Sequence, residues 1–433
     1  MNKFLLTAGA IALIAISTSA FADGMVQPTP SKVPAKSVKH VGHKAKKPTK
    51  AVTPIATPAP VVTPAPVVSP VSLKLGGETE FRAEKAAGTS QNTFQQLYTI
   101  ELEAEGRANK FDYGAVISVG NKPEITNGFN GTTKQVQLDK AYAYVAPHGY
   151  GRVAFGDMLG ANDMFVSAPT IGLGQVSGAY RDFTQSGSLM RMEPTFGDVA
   201  ETSTKVGYYT PKFAFNQNNK VQAGVTYTPN YYDFGSNVIK TANGNANSPY
   251  KDVVEADLQY AGTFGEVETV TTGMITTGAG NGDAAFTTQY PQIAGGTRSF
   301  TSWGVGSNVT YRKATIGGSY VDGGRQGTDV DQNNEQHVWT AGAKYALTDA
   351  FKVAGSYMSG VGYNNYFAVN GAVAPASERN YVKDFNAYGI GASYNWAPGL
   401  TAAVDAVKFE QERNDGQGKN SGHVILVSQK MAF

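Results

Sequence analysis

Apolar and polar residues alternate with a period of two through almost all of residues 73–433. In Thr93–Glu105, Tyr98, Ile100 and Leu102 fall on one face, and Glu101, Glu103 and Glu105 on the other. In Lys251–Gly262, Val254, Ala256, Leu258 and Tyr260 oppose Glu255, Asp257 and Gln259. A period of two puts successive side chains on opposite faces of a strand. Sixteen segments of this kind are predicted, the first at Leu73–Glu84 and the last at Gly422–Phe433. Short connections such as Ala146–Tyr150, Arg312–Lys313 and Ala397–Gly399 alternate with long ones at 121–133, 158–201, 229–250, 278–298, 323–335, 360–382 and 410–421. Thr210–Asn219 breaks the rule, being long for a connection on the short side.

Strands with one polar and one apolar face, repeated over this length, describe a sheet that is wet on one side and bathed in lipid on the other. The predicted fold is all-β, a sixteen-stranded antiparallel transmembrane β-barrel. A soluble sandwich of this size would need many more apolar runs directed at a dry core. The even count leaves both ends of the barrel on one side of the membrane. The 50 glycines suit strands that must curve. Tyr142, Tyr144, Phe155, Tyr208, Tyr209, Tyr227, Tyr394 and Trp396 lie near strand ends, where a membrane interface would hold them.

Ahead of the barrel the chain changes character twice. Residues 1–22 read as a secretory signal: Lys3, an apolar run from Phe4 to Ile16, and Ala20-Phe21-Ala22 as the small-x-small cleavage site. Residues 23–72 are rich in Pro, Ala, Val, Thr and Lys and read as an extended periplasmic tether, partly polyproline II. Its basic section, Lys32 to Lys50, is either a solvated spacer or a contact for the anionic cell wall. Of the 36 basic and 34 acidic residues, the first 72 positions hold eight lysines and one acid, Asp23. The remainder keeps 28 bases and 33 acids, so the mild positive charge belongs to the tail and argues for no nucleic acid. The chain has no cysteine, which suits passage through an oxidising compartment and removes thiolate chemistry.

Gly422–Phe433 ends on an aromatic residue, with Ile425, Val427, Met431 and Phe433 on one face. It resembles the last strand of bacterial outer-membrane barrels, in which a terminal Phe serves insertion and the strand closes on the first. Gln429 departs from that pattern. Val71-Ser72-Leu73-Lys74-Leu75-Gly76-Gly77 is similar to the first strand of the general diffusion porins of Gram-negative outer membranes, the sixteen-stranded trimeric family. Gly151-Arg152-Val153-Ala154-Phe155-Gly156-Asp157 is similar to their fifth, and Tyr394-Asn395-Trp396-Ala397-Pro398-Gly399-Leu400 to a late periplasmic turn.

That resemblance implies a homotrimer in the outer membrane, with lipid and lipopolysaccharide outside and a water-filled lumen for small hydrophilic solutes. It also implies that the third extracellular loop folds inward, its acids facing a basic wall. The acids offered are Asp157, Asp163, Asp182, Glu193 and Asp198. The bases, chosen by inward parity, are Arg82, Arg152, Lys74 and Arg107. Arg82 and Arg152 are expected within strands at mid-barrel. Phe433 is the expected closure and insertion signal. An acidic loop over a nearly balanced wall predicts mild cation preference.

Enzymatic chemistry finds little to work with. His40 and His43 lie in the tether, His148 in a short turn, and His337 and His423 near the long-loop rim. None forms a motif with a nucleophile and an orienting acid. No phosphate loop and no metal-ligand spacing of His or Cys is present, so no cofactor or metal is expected; Asp329 and Asp331 read as polar loop carboxylates, with weak calcium binding as the alternative. Two alternatives to a general pore stay open: a non-conducting barrel acting as adhesin or cell-wall tether, and a channel selective for one solute class.

Overall fold

A computed structural model describes residues 71–86, 93–121, 136–171, 202–231, 250–282, 296–326, 336–363, 381–413 and 419–433. The predicted signal, almost all of the tether with Lys32–Lys50, and Asp182, Glu193 and Asp198 lie outside these residues. The strands are β1 (Ser72–Ala86), β2 (Thr93–Arg107), β3 (Phe111–Gly120), β4 (Gln137–Pro147), β5 (Arg152–Asp157), β6 (Thr204–Tyr209), β7 (Phe213–Asn216), β8 (Asn219–Asn230) and β9 (Tyr250–Phe264). They continue with β10 (Val267–Gly280), β11 (Phe300–Tyr311), β12 (Ala314–Asp322), β13 (His337–Ala346), β14 (Phe351–Tyr363), β15 (Tyr381–Ala397), β16 (Leu400–Arg413) and β17 (Lys419–Ala432). A 3-10 turn, Ala161–Met164, follows β5.

Neighbours in sequence pair antiparallel around the sheet, and β17 returns to β1 with Glu78 opposite Ala432 and Ala86 opposite Val424. The sheet is thus a closed barrel, the form that leaves no open sheet edge to hydrocarbon. The last residue takes part in the seam: Gly77 N donates to Phe433 O at 3.1 Å, and Phe433 N donates to Gly77 O at 3.0 Å.

Seventeen strands make sixteen staves, because β6 and β7 both lie on β8. Pro211 explains the gap between them, since it has no N–H to give the ladder. Thr210 bridges the break: its N–H donates to Ala223 O at 2.9 Å, and its Oγ1 accepts from Ala223 N at 2.9 Å. The connection predicted to be anomalously long at Thr210–Asn219 therefore holds the short strand β7, and the reversal itself falls between Asn216 and Asn219.

Alternation sets the two faces. Outward positions carry exposed apolar side chains on every side of the barrel, among them Leu75, Ile100, Ile117, Val225, Leu258, Ile275, Val305, Ile316, Ile390 (68% exposed), Val427 and Phe433. In water each would forgo about 1.5–3 kcal/mol of transfer energy; against acyl chains that loss disappears. Outward aromatics gather at two levels. Near the long-loop end, Trp303 packs with Tyr320 and Trp339 with Tyr357, which also packs with Tyr388. Near the short-turn end stand Phe111, Phe213, Phe264, Tyr311, Tyr394 and Trp396. Two such girdles mark the two interfaces of a bilayer. Tyr142, Tyr144 and Tyr209 correct the sequence reading. They are turned to the polar face, where Arg152 lies over the rings of Tyr144 and Tyr209 at 5.6 and 5.1 Å.

The inner face is not polar throughout. Met274, Val321, Val338, Met358, Phe385, Val407, Phe409, Val424 and Leu426 are buried in one apolar cluster spread over β10 and β12–β17, joined by Ala168. Strict alternation would have put polar residues there. The sequence trace of this patch is the unbroken run Val424-Ile425-Leu426-Val427 in β17, where both faces are apolar.

Candidate functional site in the barrel interior

The site begins at a glycine. Gly156 has φ of +126°, and a side chain there would collide with Ala141 O. Only glycine adopts that conformation without strain, so β5 ends after six residues and the chain leaves the sheet at Asp157. Asp157 is buried and accepts from Thr204 Oγ1 on β6.

The next residues run along the polar faces of successive strands. Ala161 N donates to Thr226 Oγ1 on β8 at 3.1 Å. Asn162 Nδ2 donates to Thr276 Oγ1 on β10 at 2.5 Å, and Gln259 Nε2 on β9 donates to Met164 O at 3.0 Å. Val166 N donates to Thr272 Oγ1 on β10 at 3.0 Å, and Ala168 N to Thr340 Oγ1 on β13 at 3.1 Å. Lys344 Nζ, also on β13, donates to Thr170 O at 3.4 Å. Three threonine hydroxyls on inner positions thus satisfy backbone N–H groups of a segment with no ladder of its own. Gly306 on β11 leaves the room that Val166 O occupies, and Phe165 packs on the apolar cluster. Residues 158–171 therefore rest on acidic and hydroxyl-bearing strands at one end and on apolar ones at the other.

Of the predicted set, Asp157, Asp163 and the four bases lie within the described residues, in separate local surroundings. Asp163 sits in the 3-10 turn. Asp163 and Arg152 lie close enough to Tyr142 and Tyr209 for both charges to act on those hydroxyls. Arg152 is the first residue of β5, next to the turn after β4, rather than at mid-barrel. Arg82 is occupied on its own strand pair, with Glu80 at 2.9 Å and Gln95 at 3.3 Å. Lys74 pairs with Glu103 at 3.4 Å and Glu105 at 2.5 Å. Arg107 pairs with Asp112 at 2.8 Å, beside His148 at 3.3 Å from the same carboxylate. Lys74 and Arg107 thus mark the short-turn rim.

Sequence parity missed several residues that touch the segment. Thr226, Thr272, Thr276 and Thr340 gave no signal, because a threonine on a strand is ordinary β text. Glu255 and Asp257 were read as inward; their burial beneath the 158–171 segment was not foreseeable from period alone. Among the described residues, no group of three or more His, Cys, Asp or Glu side chains gathers as metal ligands would, and no helix is long and apolar enough to cross a membrane, a fact silent on strands.

The fold has close company among solved structures. OmpT of Vibrio cholerae in its trimer form is 12% identical over 84% of this chain and 100% of its own, with a TM-score of 0.52. Salmonella typhi OmpF in complex with daunomycin is 16% identical over 83% and 97%, with a TM-score of 0.53. The outer-membrane channel DcaP of Acinetobacter baumannii is 13% identical over 84% and 97%, with a TM-score of 0.50. At these identities the likeness concerns the fold alone. No curated protein matches the sequence. The model of the Gram-negative porin family matches residues 9–417. A closed sixteen-stave barrel with a lipid-facing outside therefore has its family: the chain is a Gram-negative porin of the outer membrane.

Proposed function

We propose that this porin is a water-filled channel that passes small hydrophilic solutes and ions by passive diffusion, with a mild preference for cations. Residues 158–201 act as the third extracellular loop, folded inward to narrow the lumen, and their described part is 158–171. The observation that carries this reading is the run of hydrogen bonds from Ala161 to Thr170 onto inner side chains of β8, β9, β10 and β13. Asp163 on the loop, with Glu255 and Asp257 on β9 beneath it and Asp157 where the segment leaves β5, supplies the negative potential. Arg152 among its tyrosines is the favoured basic counterpart. Lys74, Arg82 and Arg107 are engaged by local carboxylates and act as weaker wall charges. Three chains associate, as in the trimer form of the Vibrio cholerae protein, with lipopolysaccharide around the long-loop end.

The apolar interior cluster favours a second reading, in which the lumen is closed and the barrel serves as an adhesin or as a tether to the cell wall through Lys32–Lys50. Single-channel recording in planar bilayers separates the two. Large steps closing in threes, with a cation-selective reversal potential across a salt gradient, are expected. Silent membranes containing correctly folded protein would reject the diffusion channel in favour of the closed barrel.

A further inference from the structure

Asp257 stands on the inner face of β9 between Glu255 and Gln259, and both of those are engaged. Glu255 Oε2 accepts from Thr226 Oγ1 at 2.8 Å, and Gln259 donates to Met164 O. Asp257 has no such partner. It is 3% exposed, and both of its carboxylate oxygens are buried with no hydrogen bond. The residues opposite it on the flanking strands, Gly224 and Met274, carry no donor side chain. The Ala161–Met164 turn covers it, pinned to Thr226, Thr276 and Gln259 on the three strands around it. The Met164 methyl lies 2.8 Å from where a Gly224 side chain would start.

Asn162 brings a second orphan. Its Nδ2 is used on Thr276, but its Oδ1 is buried without a partner, and the residue is 9% exposed. Asp163 follows it and is the one charged group acting on Asp257 among the described residues, and it has the same sign. A carboxylate taken out of water with neither donor nor countercharge, beside a second carboxylate, is strongly disfavoured. Every unmatched atom here is an acceptor oxygen. That is the donor set a hard cation takes, from carboxylates and amide carbonyls together.

We propose that Asp257, Asp163 and Asn162 Oδ1 seat a divalent cation, calcium, which fastens the Ala161–Met164 turn to β9. Only two of the donors are carboxylates, so the amide is the third protein ligand and water completes the shell. Ligands from two independent elements suit the irregular coordination of calcium better than the strict octahedron of magnesium. The site goes beyond conduction, since binding is measured whether or not the pore is open.

The test uses the full-length protein folded in detergent micelles, stripped with a chelator and titrated calorimetrically with calcium chloride. Asp257→Asn and Asp163→Asn are titrated alongside, and magnesium chloride serves as the second titrant. Calcium held by surface carboxylates is common to all three proteins, so the difference is what counts. The wild type is expected to bind one more calcium per chain than Asp257→Asn, and its unfolding midpoint should rise with calcium more than the variant's does. Should Asp257→Asn fail to fold, Asp163→Asn on the turn carries the same comparison. Equal stoichiometry and an equal calcium response in wild type and variant would overturn the site. Tighter binding of magnesium than of calcium would overturn the choice of ion.

Discussion

Gly306 lacks a side chain where Val166 needs the room, which makes it a handle on the 158–171 segment that leaves the barrel wall alone. Its Cα pairs with Thr272 on β10 and Ser319 on β12 through backbone groups that any residue supplies. A valine there fits the ladder and forces Val166 away. Gly306→Val should therefore fold and insert normally but lose the Val166–Thr272 hydrogen bond, worth about 0.5–1.5 kcal/mol. Its single-channel conductance should differ from wild type, and larger sugars should permeate in liposome swelling. An unchanged conductance with the same solute cut-off would mean that the segment does not bound the conducting path. Thr340→Val makes the complementary change on β13, removing the acceptor for Ala168 N while keeping shape. It should raise open-channel noise and leave mean conductance nearly unaltered, as recorded current traces would reveal.

At the level of the strand, the seam between β1 and β17 depends on how closely two backbones approach. A Cβ on Gly77 would lie 2.5 Å from Thr99 O and 2.9 Å from the Phe433 ring. Overpacking of this kind costs about 1–3 kcal/mol, and here it falls on the one junction that closes the barrel. Gly77→Val should lower the temperature at which the folded band disappears in semi-native electrophoresis. A Phe433→Leu variant, which relieves the ring contact, should recover part of the loss. No shift in Gly77→Val would place closure elsewhere. The strands themselves were largely legible, because the outer face must satisfy lipid at every position and so writes a clean period: Ala314–Asp322 was predicted at its observed bounds, and most others within a few residues. Thr210–Asn219 was misread because Pro211 resembles a turn residue when it is only a gap in a ladder. The interior was less legible. Its residues answer to whatever lies against them, so Val424 and Leu426 meet an apolar cluster while Thr272 and Thr340 meet backbone N–H groups. Arg82 and Lys74 had inward parity, yet parity carries no information about Glu80, Glu103 or Glu105 at their side.

For the whole molecule, many charges sit in close pairs, and a group of acids gathers around the Ala161–Met164 turn. Lys74 with Glu103 and Glu105, Arg82 with Glu80, Lys430 with Glu78, and Arg107 with Asp112 form short-range pairs whose field fades within a few ångströms. Asp163, Glu255 and Asp257 lie at the turn and the strand beneath it, and both Asp163 and Arg152 act on Tyr142 and Tyr209. The field of these groups reaches ions in the lumen only over the screening length, which is about 10 Å at 0.1 M salt and about 3 Å at 1 M. Cation preference should therefore be clear at the lower concentration and nearly absent at the higher one, with a reversal potential that collapses toward zero as both baths are raised at a fixed ratio. In calcium-free baths Asp163→Asn should weaken the preference at low salt, and Arg152→Gln should strengthen it. A reversal potential independent of ionic strength would locate selectivity in the width of the passage and not in its charge.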